Sequence, residues 1–341
     1  MTTRAPVGAP AEKDWEQVRA LLAAAAELYL VCHVSPDGDA LGSALATALG
    51  LRQLGKRVQV SFGDDPFAVP RSLAFLPGQE FLVPPACVGD VPQVMVVFDS
   101  SAMERLGLLA PKAAAARTLV VVDHHVSNTG FGTHHLVDAS APATVVLVAE
   151  LLRRLDVTFT PEIATALYTG LITDTGSFKY SNTTPATHEL AGRLLATGIR
   201  HDEISRLVWD TVPFGYFKVL ARALERTRLE RSAVAGRGLV WTVIPKADRY
   251  KYGVSMDQIE SVIDVVRKAV EAEVTVILKE DDDGSYKVST RSRGHLNVGV
   301  ACAALGGGGH PVAAGFTAYQ DVDTILSRLR NLLTQAADSG S

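Results

Sequence analysis

The chain has 341 residues, more than one small core needs, so two domains are expected. Apolar residues make up 47% and charged residues 21%, which excludes a disordered chain and a coiled coil. The net charge of -4 argues against an electrostatic grip on long nucleic acid, and the acidic excess falls in residues 1–200, where 15 Lys and Arg face 19 Asp and Glu. No apolar run approaches the ~20 residues of a membrane helix. The polar, proline-bearing stretch at 1–16 has no apolar core of a secretory signal. Three widely spaced cysteines, Cys32, Cys87 and Cys302, exclude a disulfide framework and a Cys-based zinc site, and they fit a reducing cytoplasm.

The first half alternates strand-like and helix-like runs, the pattern of an α/β parallel sheet. Strands are expected at 28–33, 58–62, 94–98 and 119–122. Helices are expected at 40–54, 102–115, 144–155 and 161–172, the last with Thr160 as N-cap and proline at its first position. Periodicity weakens at 197–213, where a connection between domains is expected. A helix at 214–228 opens a second, smaller α/β unit with strands at 239–244, 274–279 and 286–290. Asp281 to Gly284 form a hairpin turn, with no spaced ligand pattern that would suggest calcium. The ends, 6–11 and 336–341, read as loose termini.

Four segments of the first half end an apolar element on carboxylates or histidines. The first carries His33, Asp37 and Asp39, then Gly42 and Ser43 in the opening turns of a helix whose N-terminus favours an anion. The second ends on Asp99, the third on Asp123, His124 and His125, and the fourth on Asp174. Any one alone reads as capping or turn chemistry. Four together would be costly if buried without a cation, and a metal is the usual compensation. Carboxylates with a minority of imidazoles and no thiolate suit Mn²⁺ or Mg²⁺, with Co²⁺ as a further option. The donors exceed what one ion needs, so two divalent ions ~4 Å apart are expected, as in hydrolytic two-metal sites.

These four segments, in this order, resemble the motifs of the DHH phosphoesterase superfamily. In the second half, Arg291-Ser292 and the run Gly306 to His310 resemble its DHHA1 companion domain. Four glycines let backbone N–H groups approach a phosphate or base, and Arg291 offers a guanidinium fork. The resemblance implies a parallel-sheet DHH domain at 15–196, a linker at 197–213 and a DHHA1 domain at 214–335. It also implies one metal on His33, Asp37 and Asp99, and another on Asp39, Asp99, His124 and Asp174, with Asp99 bridging. His125 would contact the substrate phosphate, and Asp123 would orient a histidine. Arg291, Ser292, Gly308, Gly309 and His310 would hold the substrate. A homodimer follows from the resemblance alone.

Other residues imitate sites. His134-His135 lies outside the motifs and reads as surface; His188 and His201 read as helix-start or solvent-facing. Arg105 could reach phosphate or simply lie on a helix surface. Cys32 reads as buried packing, and Asn297 as a helix N-cap.

The expected function is metal-dependent hydrolysis of short oligoribonucleotides, linear dinucleotides such as pApA, or the bisphosphorylated adenosine pAp, to mononucleotides. Cyclic dinucleotides are a further substrate class that these residues do not specify. The alternatives are a single-strand exonuclease, which would need extra modules and a basic groove, and an inorganic pyrophosphatase, which would lack the glycine run and His310. A non-catalytic nucleotide-binding regulator is the third, against which the complete ligand set speaks.

Overall fold

A computed structural model describes residues 8–338. The chain divides after Thr211 into two compact units, each with its own sheet and core.

The first unit opens with helix α1 (Glu12–Ala24) and continues as β1 (Glu27–Cys32), α2 (Gly38–Gln53) and β2 (Arg57–Phe62). Then come β3 (Val94–Phe98), α3 (Ala110–Ala115), β4 (Thr118–Asp123) and β5 (His134–Val137). Four helices complete it: α4 (Thr144–Arg154), α5 (Pro161–Asp174), α6 (Pro185–Leu195) and α7 (His201–Trp209). All five strands are parallel, in the order β2-β1-β3-β4-β5. The central strands read as unbroken apolar runs because both faces of the sheet are covered. Leu28, Leu30 and Cys32 face one core with Val96, Phe98 and Leu45, while Val31 faces the other with Met95, Val97 and Leu109. The chain leaves β1 toward β2 on one side and returns to β3 on the other. Open α/β sheets bind ligands at such a switch, outside the carboxyl ends of the strands.

Helix α2 runs through this unit buried from Gly38 to Leu51, which explains its lack of a polar face. It packs on α5. A Cβ at Gly170 would stand 2.6 Å from Val145 Cγ1 and 2.9 Å from Asp39 Cα, so glycine sets how closely α5 approaches the start of α2.

The second unit comprises α8 (Phe214–Arg226), β6 (Arg228–Glu230), β7 (Leu239–Ile244), α9 (Lys246–Tyr252), α10 (Val262–Val266), β8 (Val274–Glu280) and β9 (Tyr286–Ser292). After them come α11 (Val298–Ala303), β10 (Gly308–His310), β11 (Ala313–Ala318) and α12 (Val322–Asp338). Its sheet is mixed, in the order β10-β11-β9-β8-β7-β6, with β7 and β8 parallel and the other neighbours antiparallel. Val274, Val276 and Leu278 pack with Ile325, Leu329 and Leu333 of α12, and Ile277 packs on the opposite face with Val219 and Ile263.

Three expectations change. The helix expected at 102–115 is a 3-10 segment, Met103–Leu109, followed by α3; Gly107, with φ of 53°, kinks the 3-10 segment from within. The stretch 197–213 is no bare connection, because α7 occupies most of it and buries Ile204 in the first core. The C-terminal end is not loose through residue 338: α12 extends to Asp338 and buries Ala336. At the other end residues 8–10 lie outside any helix or strand and Ala11 is the N-cap of α1, while 6–7 and 339–341 lie outside the described residues. The turn Asp281–Gly284 does form the expected hairpin, closed by Asp281 N–H to the Ser285 carbonyl at 2.8 Å.

Candidate metal centre

At the carboxyl end of the first sheet, the motif residues fall where each strand stops. His33 follows β1, Asp99 follows β3, Asp123 is the last residue of β4, and His124 and His125 come directly after it. Asp37 is the N-cap of α2, Asp39 lies in its first turn, and Asp174 is the last residue of α5. Asp37 does two jobs. Its Oδ1 accepts from the Asp39 and Ala40 amides at 3.0 Å each, and its Oδ2 lies 3.9 Å from His33 Nε2. The helix cap that a lone Asp would have signalled is real, and it leaves one oxygen for other use.

The two histidines proposed as ligands are held from behind in the same way. His33 Nδ1 lies 2.8 Å from the Val34 carbonyl and His124 Nδ1 lies 3.1 Å from the Ala141 carbonyl. A carbonyl can only accept, so Nδ1 carries the proton and Nε2 is the atom turned to the carboxylates. His33 Nε2 stands 3.5 Å from Asp99 Oδ2. His124 Nε2 stands 3.2 Å from Asp174 Oδ2, 3.5 Å from Asp99 Oδ1 and 3.9 Å from Asp39 Oδ2. Asp99 therefore turns one oxygen to each histidine. His125 is tied differently: Nδ1 donates to Asp123 Oδ1 at 2.7 Å, and the other oxygen of Asp123 accepts from Asn128 Nδ2 at 2.6 Å.

Asp39 and Asp99 are 0% and 3% exposed. Burial and the fields of Asp99 and Asp174 push the Asp39 carboxyl well up, against two amide donors that favour its charged form. Burial alone would raise Asp99 too, but the His33 hydrogen bond and the nearby His125 and His124 hold it low. Burial pushes Asp174 up to about 6. For His124, burial works against the charge, yet the Asp174 hydrogen bond and the carboxylates around it keep the imidazole well above its ordinary range.

A cluster of buried carboxylates balanced only by shared histidine protons is costly, and imidazoles presenting Nε2 from carbonyl-anchored rings are the usual second support of a metal ligand. His33, Asp37 and Asp99 bring donor atoms within 4.8 Å of one another, and so do Asp39, Asp99 and His124. Asp99, Asp123 and His125 form a third such group. The donors fit divalent cations, and Asp99 belongs to all three groups.

Two family models match the chain. The DHH family N-terminal domain matches residues 27–171 and the DHHA1 domain matches residues 238–335. The bifunctional oligoribonuclease and PAP phosphatase NrnA of Thermus thermophilus is 33% identical over 337 residues, covering 96% of this chain and 98% of that protein. This chain belongs to the DHH phosphoesterase family. The Bacillus subtilis protein of the same description is 26% identical over 308 residues, 88% of this chain and 92% of that one. The crystal structure of an exopolyphosphatase-related protein from Bacteroides fragilis shares the fold with a TM-score of 0.84 at 24% identity, covering 96% of this chain and 98% of that one.

In the DHHA1 unit, register places Arg291 (β9) opposite Ala313 (β11), and Ala313 opposite His310 (β10). Arg291 and His310 thus share a row two strands apart, about 10 Å, with only a methyl between them. Gly308 and Gly309 are exposed beside His310. Gly309 has φ of +138°, and a Cβ there would meet the Ala313 carbonyl at 2.5 Å, so the strand needs glycine. Ser292 behaves otherwise. Its buried hydroxyl donates to Glu273 Oε1 at 2.8 Å and accepts from the Gly294 amide at 2.9 Å, an internal role that holds the end of the Arg291 strand.

His134 and His135 open β5, and His135 Nε2 meets the Phe131 carbonyl at 2.8 Å. His188 stacks on Phe178, ring centroids 4.9 Å apart, and Asn297 caps α11. Arg105 approaches the site, with Nη2 3.3 Å from His33 Nδ1. The motifs gave no sign of Ala141, Thr144, Val145 or Asn128, whose support of the cluster is made largely through main-chain groups and small polar side chains.

Proposed function

We propose that this chain hydrolyses short oligoribonucleotides, linear dinucleotides such as pApA, and pAp to mononucleotides, using two divalent cations with Mn²⁺ preferred. The observation that carries the reading is Asp99, one oxygen toward His33 and the other toward His124. One ion would be held by His33, Asp37 and Asp99, the other by Asp39, Asp99, His124 and Asp174. Such ions supply Lewis acidity, acidifying water and neutralising charge on a phosphoryl oxygen. His125, its Nδ1 proton fixed on Asp123 and its pKa raised, against the cost of burial, by that bond, can as an imidazolium donate its Nε2–H to a phosphoryl oxygen. The row of Arg291 and His310, with the Gly308 and Gly309 amides, holds the part of the substrate that is not cleaved. The names of the Thermus and Bacillus relatives support this substrate class, as do the net negative charge and the compact DHHA1 unit. No helix among the described residues is long and apolar enough to cross a membrane. We assign the protein to the cytoplasm on its three unpaired cysteines, and to a homodimer on family resemblance.

The test is a hydrolysis panel with Mn²⁺: pAp, pApA, cyclic di-AMP, an RNA length ladder and pyrophosphate. Release of mononucleotides from pApA and the shortest RNAs, with rates falling as length grows, is the expected result. Preference for long single strands or for pyrophosphate would overturn it.

A further inference from the structure

We propose that Thr144 is a positioning residue that fixes the carboxylate of Asp99 so that each oxygen serves a different ion. This rests on the two-ion reading above and adds a residue that none of the four motifs contains.

The segment 141–145 touches three of the proposed ligands. The Ala141 carbonyl holds the His124 ring through Nδ1 at 3.1 Å. The amides of Thr144 and Val145 donate to Asp39 Oδ2 and Oδ1 at 2.6 and 2.8 Å. The Thr144 hydroxyl donates to Asp99 Oδ1 at 2.9 Å. Asn182 fastens this segment to the end of α5, donating from Nδ2 to the carbonyls of Pro142 and Asp174 at 3.1 Å each. One short stretch thereby sets the relative places of His124, Asp39, Asp99 and the residue that ends α5.

Among these contacts only the Thr144 hydroxyl acts on Asp99. The backbone at Asp99 is left-handed, with φ of 55°, an uncommon state for a residue other than glycine that tolerates little adjustment. The carboxylate can still turn about its last side-chain bond, which is soft. A neutral donor on Oδ1 stops that turn without competing for the charge of the cluster. It holds Oδ1 on the His124 side and leaves Oδ2 facing His33. Thr144 is 0% exposed, so no water takes the place of its hydroxyl at low cost. The geometry places Thr144 on the Asp39–His124 side, and its loss falls on that ion first.

The test is Mn²⁺ titration by calorimetry of the full chain after metal removal, on wild type, Thr144→Val and Thr144→Ser. Valine keeps the shape and the backbone amide, so the Asp39 contacts persist. Expected in Thr144→Val is one binding event as in wild type and a second weakened about ten- to a hundredfold, the range for lost outer support of a metal ligand. With pApA at saturating Mn²⁺, kcat falls while KM stays within about twofold, and Thr144→Ser restores both binding and kcat. If valine unfolds the protein, as circular dichroism would show, Thr144→Ala carries the same expectation with less bulk. Wild-type binding of two ions that is unchanged in the valine or alanine variant overturns the role of Thr144 and leaves the two-ion reading standing. Wild type that binds a single ion or none overturns both.

Discussion

The candidate metal centre and the DHHA1 row are built on opposite plans. Around Asp99 all the proposed ligands except the exposed Asp37 are buried or half-buried, and four of them are gripped by main chain: carbonyls behind His33 and His124, amides on Asp37 and Asp39. On the DHHA1 sheet, Arg291 and His310 are half-buried and the glycines beside them exposed. The first arrangement suits atoms that must stay within tenths of an ångström to act on a reacting phosphate. The second suits groups that meet ligands of varying length, where reach matters more than rigidity. Under the proposed function, cutting short nucleotides would need both, and here they are sorted by unit.

Substitutions should separate the two plans, and Asp99→Asn is the strongest. Asparagine is isosteric and tolerates the left-handed backbone, so the fold should survive. Losing the shared charge forfeits several kcal/mol of stabilisation, on the order of a thousandfold or more in kcat, with fewer ions bound. Metal analysis beside pApA kinetics checks this, and near-normal turnover would remove the bridging role. Arg291→Ala should do the reverse. Loss of a charge-assisted contact is worth roughly 1.5–3 kcal/mol, about ten- to a hundredfold in KM, with ion occupancy unchanged. Metal loss in that variant would show that the two plans are not separate.

The smallest effect concerns pH. Asp174 is pushed up to about 6 by burial, so below that value it holds a proton which a cation must displace. Mn²⁺ affinity should therefore fall as pH drops through 6, by up to about tenfold per unit for one displaced proton. Calorimetry in buffers of different ionisation enthalpy would count the protons released. Affinity that is flat between pH 5 and 7 would contradict the role of Asp174 as a ligand.

Much of this was legible in the sequence, and the limits have physical causes. The strands of the first sheet are buried on both faces, so their apolar runs stand out and His33, Asp99 and Asp123 mark their ends. Short edge strands left little trace: β5 has four residues and β10 three. The helix expected at 102–115 failed because Ala, Leu and Lys favour helix there while Gly107 kinks it at a positive φ. Ser292 looked like a substrate contact by its place beside Arg291, but alternation along β9 turns it into the core toward Glu273. The motifs displayed the proposed ligands and hid their supports. Carbonyls and amides exist at every residue, so nothing in the spelling of Ala141 or Val145 announces the job they do.

Helix α4 has no side-chain cap of its own, since its N-cap residue is Ala143. The carboxylate of Asp39, borrowed from α2, takes that place through the amides of Thr144 and Val145. Those two amides are accordingly a pair of reporters wired to a single charge. Their resonances should move with any cation or proton that Asp39 takes up, which makes a change at that carboxylate observable from the end of α4.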